Sequence, residues 1–498
     1  MTKKYAYITT AIPYVNGAPH IGHAMDYILA DVWARYQVQN GKTVRFQTGV
    51  DEHGNKIAAK AAEQGLKPKD FVDQAHVSFK QTIEALNVSA TDFIRTTDDH
   101  HKGAAQYIWQ VLQQKGLIYK GNYEGWYCVG CEAFVSDKEA AANNGVCEDH
   151  QKPYQRLSEE NYYFKTSQFS EQIRQAIESG KMKLLPEFRK KEFLELMKDG
   201  LQDVSISRPR KNLSWGVSVP GDDGHVMYVW LDALSNYLTV IGYPDNQDWQ
   251  NFWPADVQVI GKDILRFHAG IWPAMLMALD LPLPKVLLVH GHVNVGGVKM
   301  SKSLGNGVGP SDILPDFGVD AFRYYFLRYV PTQDDGDFTW ERFEAAYNGE
   351  LGNDLGNLVQ RVAKMLLSYQ AGVIGDAPQG EHDMGPYRQA MNSFEFNKAL
   401  DETWAVIRSL NQYIDQVKPW EVAKNRDKDT EAESHLSEIL SHAVGTLLQV
   451  ADMLTPFLPG TAESIKQTFA SGVVPQDIKP LFPKIYIHTE DPRASRAK

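Results

Sequence analysis

Two imidazoles three residues apart, His20 and His23, follow a turn built from Pro13, Asn16, Gly17 and Pro19. Tyr5 to Thr10 before the turn is β-rich, and Ile28, Leu29, Val32, Trp33 and Tyr36 after it recur at helical spacing. The histidines therefore stand where a strand passes into a helix. A helix start offers free backbone N–H groups and the positive end of a dipole, which suit a phosphate. Two histidines there add donors that can follow charge as it builds on phosphorus. Far along the chain, Lys299, Ser301, Lys302 and Ser303 fall between the glycines Gly296-Gly297 and Gly305. Two ammonium groups and two hydroxyls on a glycine-flanked loop make a clamp for a polyphosphate. Alone, each set also fits a blander role: a helix cap for the histidines, a solvated turn for the lysines.

A third constellation is Cys128-x2-Cys131-x15-Cys147-x2-His150. Two such pairs can close a tetrahedral zinc site of three thiolates and one imidazole. All three cysteines of the chain are spent on it. Four protein ligands leave no position for substrate, so a structural ion is expected; the alternative is three buried thiols and a surface histidine. Asp51, at the end of the strand Val44 to Val50, lies where open α/β sheets bind ligands and could hold an ammonium group. Its alternative is the N-cap of the helix that follows. His100-His101 has no ligand spacing and is expected on the surface.

The elements that must position these groups follow from periodicity. Strand and helix alternate as far as Leu117, as in a doubly wound α/β domain. The alternation breaks over 118–226. It resumes with strands expected at His225 to Ala233, Gln258 to Asp263 and Val286 to His292. Long helical patterns, Leu355 to Tyr369, Tyr387 to Val417 and Glu433 to Leu454, imply a separate bundle. The expected division is 1–117 and 227–292 for two halves of one sheet domain and 118–226 for an insertion with the zinc knuckle. The lysine-loop piece takes 293–350 and the helical domain 351–498.

A chain of 498 residues suits two to four domains. No apolar run approaches the roughly 18 residues of a membrane span, and no signal-peptide pattern opens the chain. A cytoplasmic protein with no membrane partner is expected. The formal charge of −11 argues against indiscriminate nucleic-acid binding.

His20-Ile21-Gly22-His23 together with Lys299-Met300-Ser301-Lys302-Ser303 resembles the signature of class I aminoacyl-tRNA synthetases. Within that class the chain most resembles the methionyl-tRNA synthetase family over nearly its whole length. The markers are Ala11 to Gly17, Tyr228 to Ala233, Ile260 to Asp263 and Lys418-Pro419-Trp420. The resemblance implies a Rossmann-like parallel sheet split by a one-zinc insertion and followed by an α-helical anticodon-binding bundle. It implies ATP-dependent activation of L-methionine to methionyl-adenylate, with Mg²⁺, then transfer to the terminal ribose of methionine tRNAs. It places His20, Gly22, His23, Lys299 and Lys302 on ATP, with the two histidines and two lysines catalytic. It places Asp51 on the α-amino group, and Ile12, Tyr14, Trp230, Ala233, Tyr237, Ile264, Phe267 and His268 around the thioether. Asn357, Arg361 and Trp420 match the anticodon readers, and Cys128, Cys131, Cys147 and His150 the zinc ligands. Most of the residues around the thioether would otherwise be read as core.

For a tRNA, basic residues should gather on one face; Arg189-Lys190-Lys191, Arg208 to Lys211 and Arg323 with Arg328 are the candidates. The family often carries a further C-terminal domain that dimerises. The helical pattern here runs close to Lys498, so a monomer is expected. The insertion is shorter than the editing domains of the leucyl, isoleucyl and valyl enzymes, which weighs against those substrates. The cysteinyl enzyme builds its pocket on zinc, and residues 1–50 hold no cysteine. A small-molecule nucleotidyltransferase would not need a bundle bearing Trp420, and a non-catalytic paralogue would not be expected to keep both motifs.

Overall fold

The computed structural model describes residues 4–129, 133–135, 137–148, 151–299, 307–375, 380–426 and 431–486. At its centre is a parallel sheet of six strands: β1 (Tyr5–Thr10), β2 (Thr43–Val50), β3 (Asp92–Arg95), β4 (Lys183–Leu185), β5 (Val257–Gly261) and β6 (Val286–His290). Their spatial order is β3-β2-β1-β5-β6-β4, with every pairing parallel. The order reverses between β1 and β5, and such a switch point opens a crevice beyond the strand ends.

Alternation along the strands feeds two cores. Ala6, Ile8, Val257, Val259 and Leu288 pack on one face with Met25, Ile28 and Leu29 of helix α1 (Ile21–Gln39). Tyr7, Ile260, Leu287 and Val289 pack on the other. There they meet Ile108 and Leu112 of α2 (Asp99–Gln114) and Leu234 and Leu238 of α3 (Val229–Thr239). Burial on both faces is what a central parallel strand requires. The first core continues without a break into the helical region through Leu358, Leu400, Trp404 and Leu447.

Several expectations change. The span read as an insertion returns to the sheet once, because Lys183–Leu185 pairs with β6 at its edge. Residues His225 to Ala233 are not one strand: Asp222–Met227 pairs antiparallel with Ser207–Pro209, and the helix starts at Val229. That helix is buried on almost every side, and a short apolar run does not by periodicity alone distinguish strand from helix. The stretch Tyr387 to Val417 is two helices, Gly385–Asn392 and Phe396–Val417, broken at Phe394, whose φ is 58°. Among the described residues no helix is long and apolar enough to cross a membrane.

Two of the basic candidates are structural. Arg323 is fully buried, paired to Asp31 at 2.7 Å and donating to the carbonyls of Phe457 and Pro456. Arg328 is held by Asp401 and Glu350 at 3.1 and 3.5 Å. An exposed face was expected of both; a buried guanidinium is tolerated only when paired and hydrogen-bonded, and here it ties α1 to the helical region.

Candidate active site

The cavity at the switch point has a volume of about 780 Å³. Its walls come from the segments beyond β1, β2, β5 and β6 and from α3. Of the residues singled out in the sequence, Ile12, Tyr14, His20, Gly22, His23, Asp51, Trp230, Ala233, Tyr237, Ile264 and His268 all line it. Phe267 stands one layer back, stacked on Trp230 with ring centroids 3.5 Å apart.

The imidazole pair is set by the helix start. His20 is the N-cap of α1, its Nδ1 accepting from the backbone N–H of Gly22 at 3.0 Å. His23 Nδ1 accepts from the backbone N–H of His20 at 3.3 Å, and the two rings stack at 3.8 Å. With both Nδ1 atoms accepting, the neutral tautomer of each ring carries its hydrogen on Nε2. A Cβ at Gly22 would come within 2.8 Å of the His20 ring, so a larger residue there would displace that imidazole.

Asp51 is 4% exposed. Its backbone bridges that of Tyr14, with the N–H of Asp51 donating to Pro13 O at 2.9 Å, so the ends of β1 and β2 are clasped together. Its Oδ1 accepts from the His53 N–H at 3.2 Å and the Thr96 hydroxyl at 3.4 Å. The cap reading fails: Gly54 stands at the N-cap of the next helix, which has no side-chain cap. A carboxylate that lines a cavity can accept from an ammonium group.

At the far wall the His268 Nδ1–H donates to Ile264 O at 3.0 Å, and Nε2 accepts from the Tyr237 hydroxyl at 2.7 Å. Burial pulls the His268 imidazole down to about 4. It is therefore neutral at physiological pH and presents no charge to an apolar side chain. The unfolded value lies near 6.5, so the unfolded chain takes up this proton first as pH falls. Stability from this site is complete above about 6.5 and lost as pH drops toward about 4, on the order of 3 kcal/mol. Denaturant unfolding across that range should show a flatter pH dependence in His268→Gln than in the parent; equal slopes would contradict the assignment.

Sequence reasoning missed a second set of titratable groups. His290 Nε2 lies 2.9 Å from Asp26 Oδ1, joining the end of β6 to α1 beside His23. Burial opposes charge on both; Asp26 more than offsets it at His290, whose imidazole rises above its usual value, while Asp26 stays above the usual carboxylate range. Asp263, His292, Ser311 and Asp312 line the same end of the cavity. His101 is not on the surface. It is fully buried, with Nε2 at 3.0 Å from Asp232 Oδ1 and Nδ1 at 2.7 Å from Thr239 Oγ1. Burial opposes ionisation of Asp232, but His53 and His101 outweigh it and hold the carboxyl well below its usual range. Only the exposed His100 matches the surface reading.

Lys299 belongs to a short strand, Val298–Lys299, paired with Asn294 and Val295; Lys302 lies outside the described residues. The segment leaving that loop is well fixed. Gly307, Val308 and Gly309 line the cavity, and the Ile21 N–H, next to His20, donates to Val308 O at 3.2 Å. The downstream end of the lysine loop is thus bonded to the first turn of α1.

Cys128 and Cys147 are buried in one small cluster with Val135, Ala140 and Tyr154. Two buried thiols brought together are suitable zinc donors; Cys131 and His150 lie outside the described residues. In the helical region Asn357 is exposed and Arg361 half-buried, its guanidinium donating to Asp415 and Asn411 at 2.9 and 3.0 Å. Asp415 stands near the end of Phe396–Val417, which turns through Lys418 at φ 47° into Pro419–Lys424, where Trp420 packs half-buried on the core.

The family described as tRNA synthetases class I (M) matches residues 6–156 and 142–363, and the chain belongs to that class. Within it the relatives are methionine–tRNA ligases. The one from Streptomyces coelicolor is 43% identical over 93% of this chain and 89% of its own length; that from Clostridium tetani is 42% identical over 94% and 74%. Methionyl-tRNA synthetase of Mycobacterium tuberculosis, solved in complex with methionyl-adenylate, superposes with a TM-score of 0.88 at 34% identity, covering 96% of this chain and 100% of that one. Its free state gives 0.83 at 31% identity over 98% and 99%. The chain is a member of the methionyl-tRNA synthetase family.

Proposed function

We propose that the chain joins methionine to its tRNAs in two steps within this one cavity. The methionine carboxylate, already ionised at neutral pH, attacks the α-phosphorus of ATP and expels pyrophosphate. A terminal ribose hydroxyl of tRNA then attacks the carbonyl of the adenylate and expels AMP. No strong base is needed for the first step, so catalysis rests on positioning and on donors aimed at the phosphoryl oxygens. His20 and His23 supply those donors through Nε2, with the backbone at Gly22 admitting the phosphates. Lys299 and Lys302 hold the departing pyrophosphate. Mg²⁺ entering with ATP would neutralise charge on its phosphates.

Asp51 takes the α-ammonium group. Ile12, Tyr14, Trp230, Ala233, Tyr237, Ile264 and His268, backed by Phe267, enclose the thioether, whose polarizable sulfur suits aromatic walls. One observation supports the whole reading best: the imidazole pair, the segment leaving the lysine loop, Asp51 and Trp230 line one continuous cavity. The test is charging. With ATP and labelled methionine, label should appear on the 3′ end of methionine tRNAs, and its absence would refute the reading.

Asn357, Arg361 and Trp420 read the anticodon, a single-stranded loop that calls for stacking and edge hydrogen bonds. The link from Arg361 through Asp415 to the turn before Trp420 supports their acting together. Trp420→Ala should lower tRNA charging by about tenfold or more, the value of one stacked base, while methionine-dependent ATP–pyrophosphate exchange stays at the parent rate. Equal losses in both would mark Trp420 as packing only. One structural zinc would be held by Cys128, Cys131, Cys147 and His150, a reading supported by the burial of Cys128 and Cys147 in one small cluster.

A further inference from the structure

Asp232 is fully buried and has no part in the chemistry above. It projects from α3, the helix that also presents Trp230, Ala233 and Tyr237 to the cavity. Spacings of three and four put those residues on one face of the helix, and Asp232 and Thr239, which do not line the cavity, on another, with Asn236 at its margin. Each carboxylate oxygen meets an imidazole from a different element. Oδ2 lies 2.7 Å from His53 Nδ1, on the segment beyond β2, and Oδ1 lies 3.0 Å from His101 Nε2, on α2. An ionised carboxylate only accepts, so both facing ring nitrogens carry hydrogen. His101 returns to α3 through Thr239 Oγ1 at 2.7 Å, and Asn236 Oδ1 accepts from Gln47 Nε2 at 2.7 Å.

The connection reaches the substrate end through His53, whose backbone N–H donates to Asp51 Oδ1 at 3.2 Å. A continuous path therefore runs from the Asp51 carboxylate through His53 and Asp232 to the helix of Trp230 and Ala233. We propose that Asp232 is a positioning residue that fixes the distance between the ammonium-binding carboxylate and the thioether-binding face of α3, and thereby the side-chain length accepted. This rests on the methionine reading of the cavity. An apolar pocket alone separates substrates differing by one methylene by only about 10–200-fold, so discrimination by length depends on how rigidly its two ends are held apart.

Asp232→Asn keeps the shape and removes the charge that holds both imidazoles. In amino-acid-dependent ATP–pyrophosphate exchange it should raise the KM for methionine about tenfold, leave the KM for ATP unchanged, and narrow the preference for methionine over ethionine, one methylene longer. A general structural defect would move both KM values together. Histidine variants supply a second arm that does not depend on this variant folding. His53→Asn keeps a donor at the Nδ1 position and His101→Gln keeps one at Nε2. Both should retain the parent's methionine KM and selectivity, whereas His53→Gln and His101→Asn should reproduce Asp232→Asn. An unaltered methionine-to-ethionine ratio in Asp232→Asn, or histidine variants that do not sort by donor position, would overturn the proposal. If the parent itself shows no methionine-dependent exchange, the functional reading fails instead.

Discussion

His23→Ala should slow adenylate formation by about 10²–10³ while leaving methionine affinity within about twofold of the parent. The expectation follows from when the charge appears. Methionine binds before the phosphoryl oxygens gain charge, so a donor aimed at those oxygens strengthens only in the transition state and its loss falls on the rate. The His23 ring is oriented in advance, because Nδ1 accepts from the N–H of His20 and the ring stacks on His20 at 3.8 Å. Its Nε2–H donor is thereby fixed before substrate arrives, and no reorganisation is required at the moment of reaction. Single-turnover formation of adenylate, read beside equilibrium methionine binding, separates the two effects. A loss of methionine affinity as large as the loss of rate would assign His23 to the amino acid rather than to ATP.

Asp51→Asn should act the other way, raising the KM for methionine by about 10–10² with little change in the KM for ATP. Asparagine occupies the same volume and can keep the acceptor that Asp51 Oδ1 presents to the His53 N–H and the Thr96 hydroxyl. What it loses is the negative charge facing the cavity, and a hydrogen bond between ions is worth roughly twice its neutral counterpart. The substrate's ammonium group is present in ground and transition states alike, so binding suffers more than turnover. The check is steady-state exchange kinetics with each substrate varied in turn, beside a thermal melt. A lowered melting temperature with an unchanged methionine KM would make Asp51 a structural residue.

The groups whose place in the fold was legible in the sequence are those whose neighbours in space are also neighbours in the chain. The turn from Thr10 to His20 carries its own signals: a β-rich run, Pro and Gly, then helical spacing. The structure accordingly has a strand ending at Thr10 and a helix starting at Ile21. The place of Asp51 at the end of the strand Val44 to Val50 was legible for a similar reason, but its choice over a helix cap came only through family likeness. That Trp230 and Tyr237 line the cavity, with Phe267 stacked behind, was legible only through family likeness, since these are residues of a kind any core would use.

What escaped the sequence depends on partners far away in it. His101 reaches Asp232 across 131 residues, His53 reaches the same carboxylate across 179, and His290 meets Asp26 across 264. No local periodicity records such pairings, so a buried histidine read as a surface one. Arg323 was misread for the same cause, its partner Asp31 lying on α1. The stretch Val229 to Ala233, read as strand where the helix had already begun, failed for a local reason: burial on almost all sides erases the amphipathic pattern that separates helix from strand. Helix through Tyr237 and Leu238 was expected.

The central claim is that one cavity takes methionine and ATP together and makes the adenylate. Its most direct measurement is ATP–pyrophosphate exchange by the purified chain with each of the common amino acids in turn, without tRNA. The account predicts exchange that depends on methionine and is near background with the others. Exchange with leucine or cysteine in place of methionine, or none with any amino acid, would contradict it.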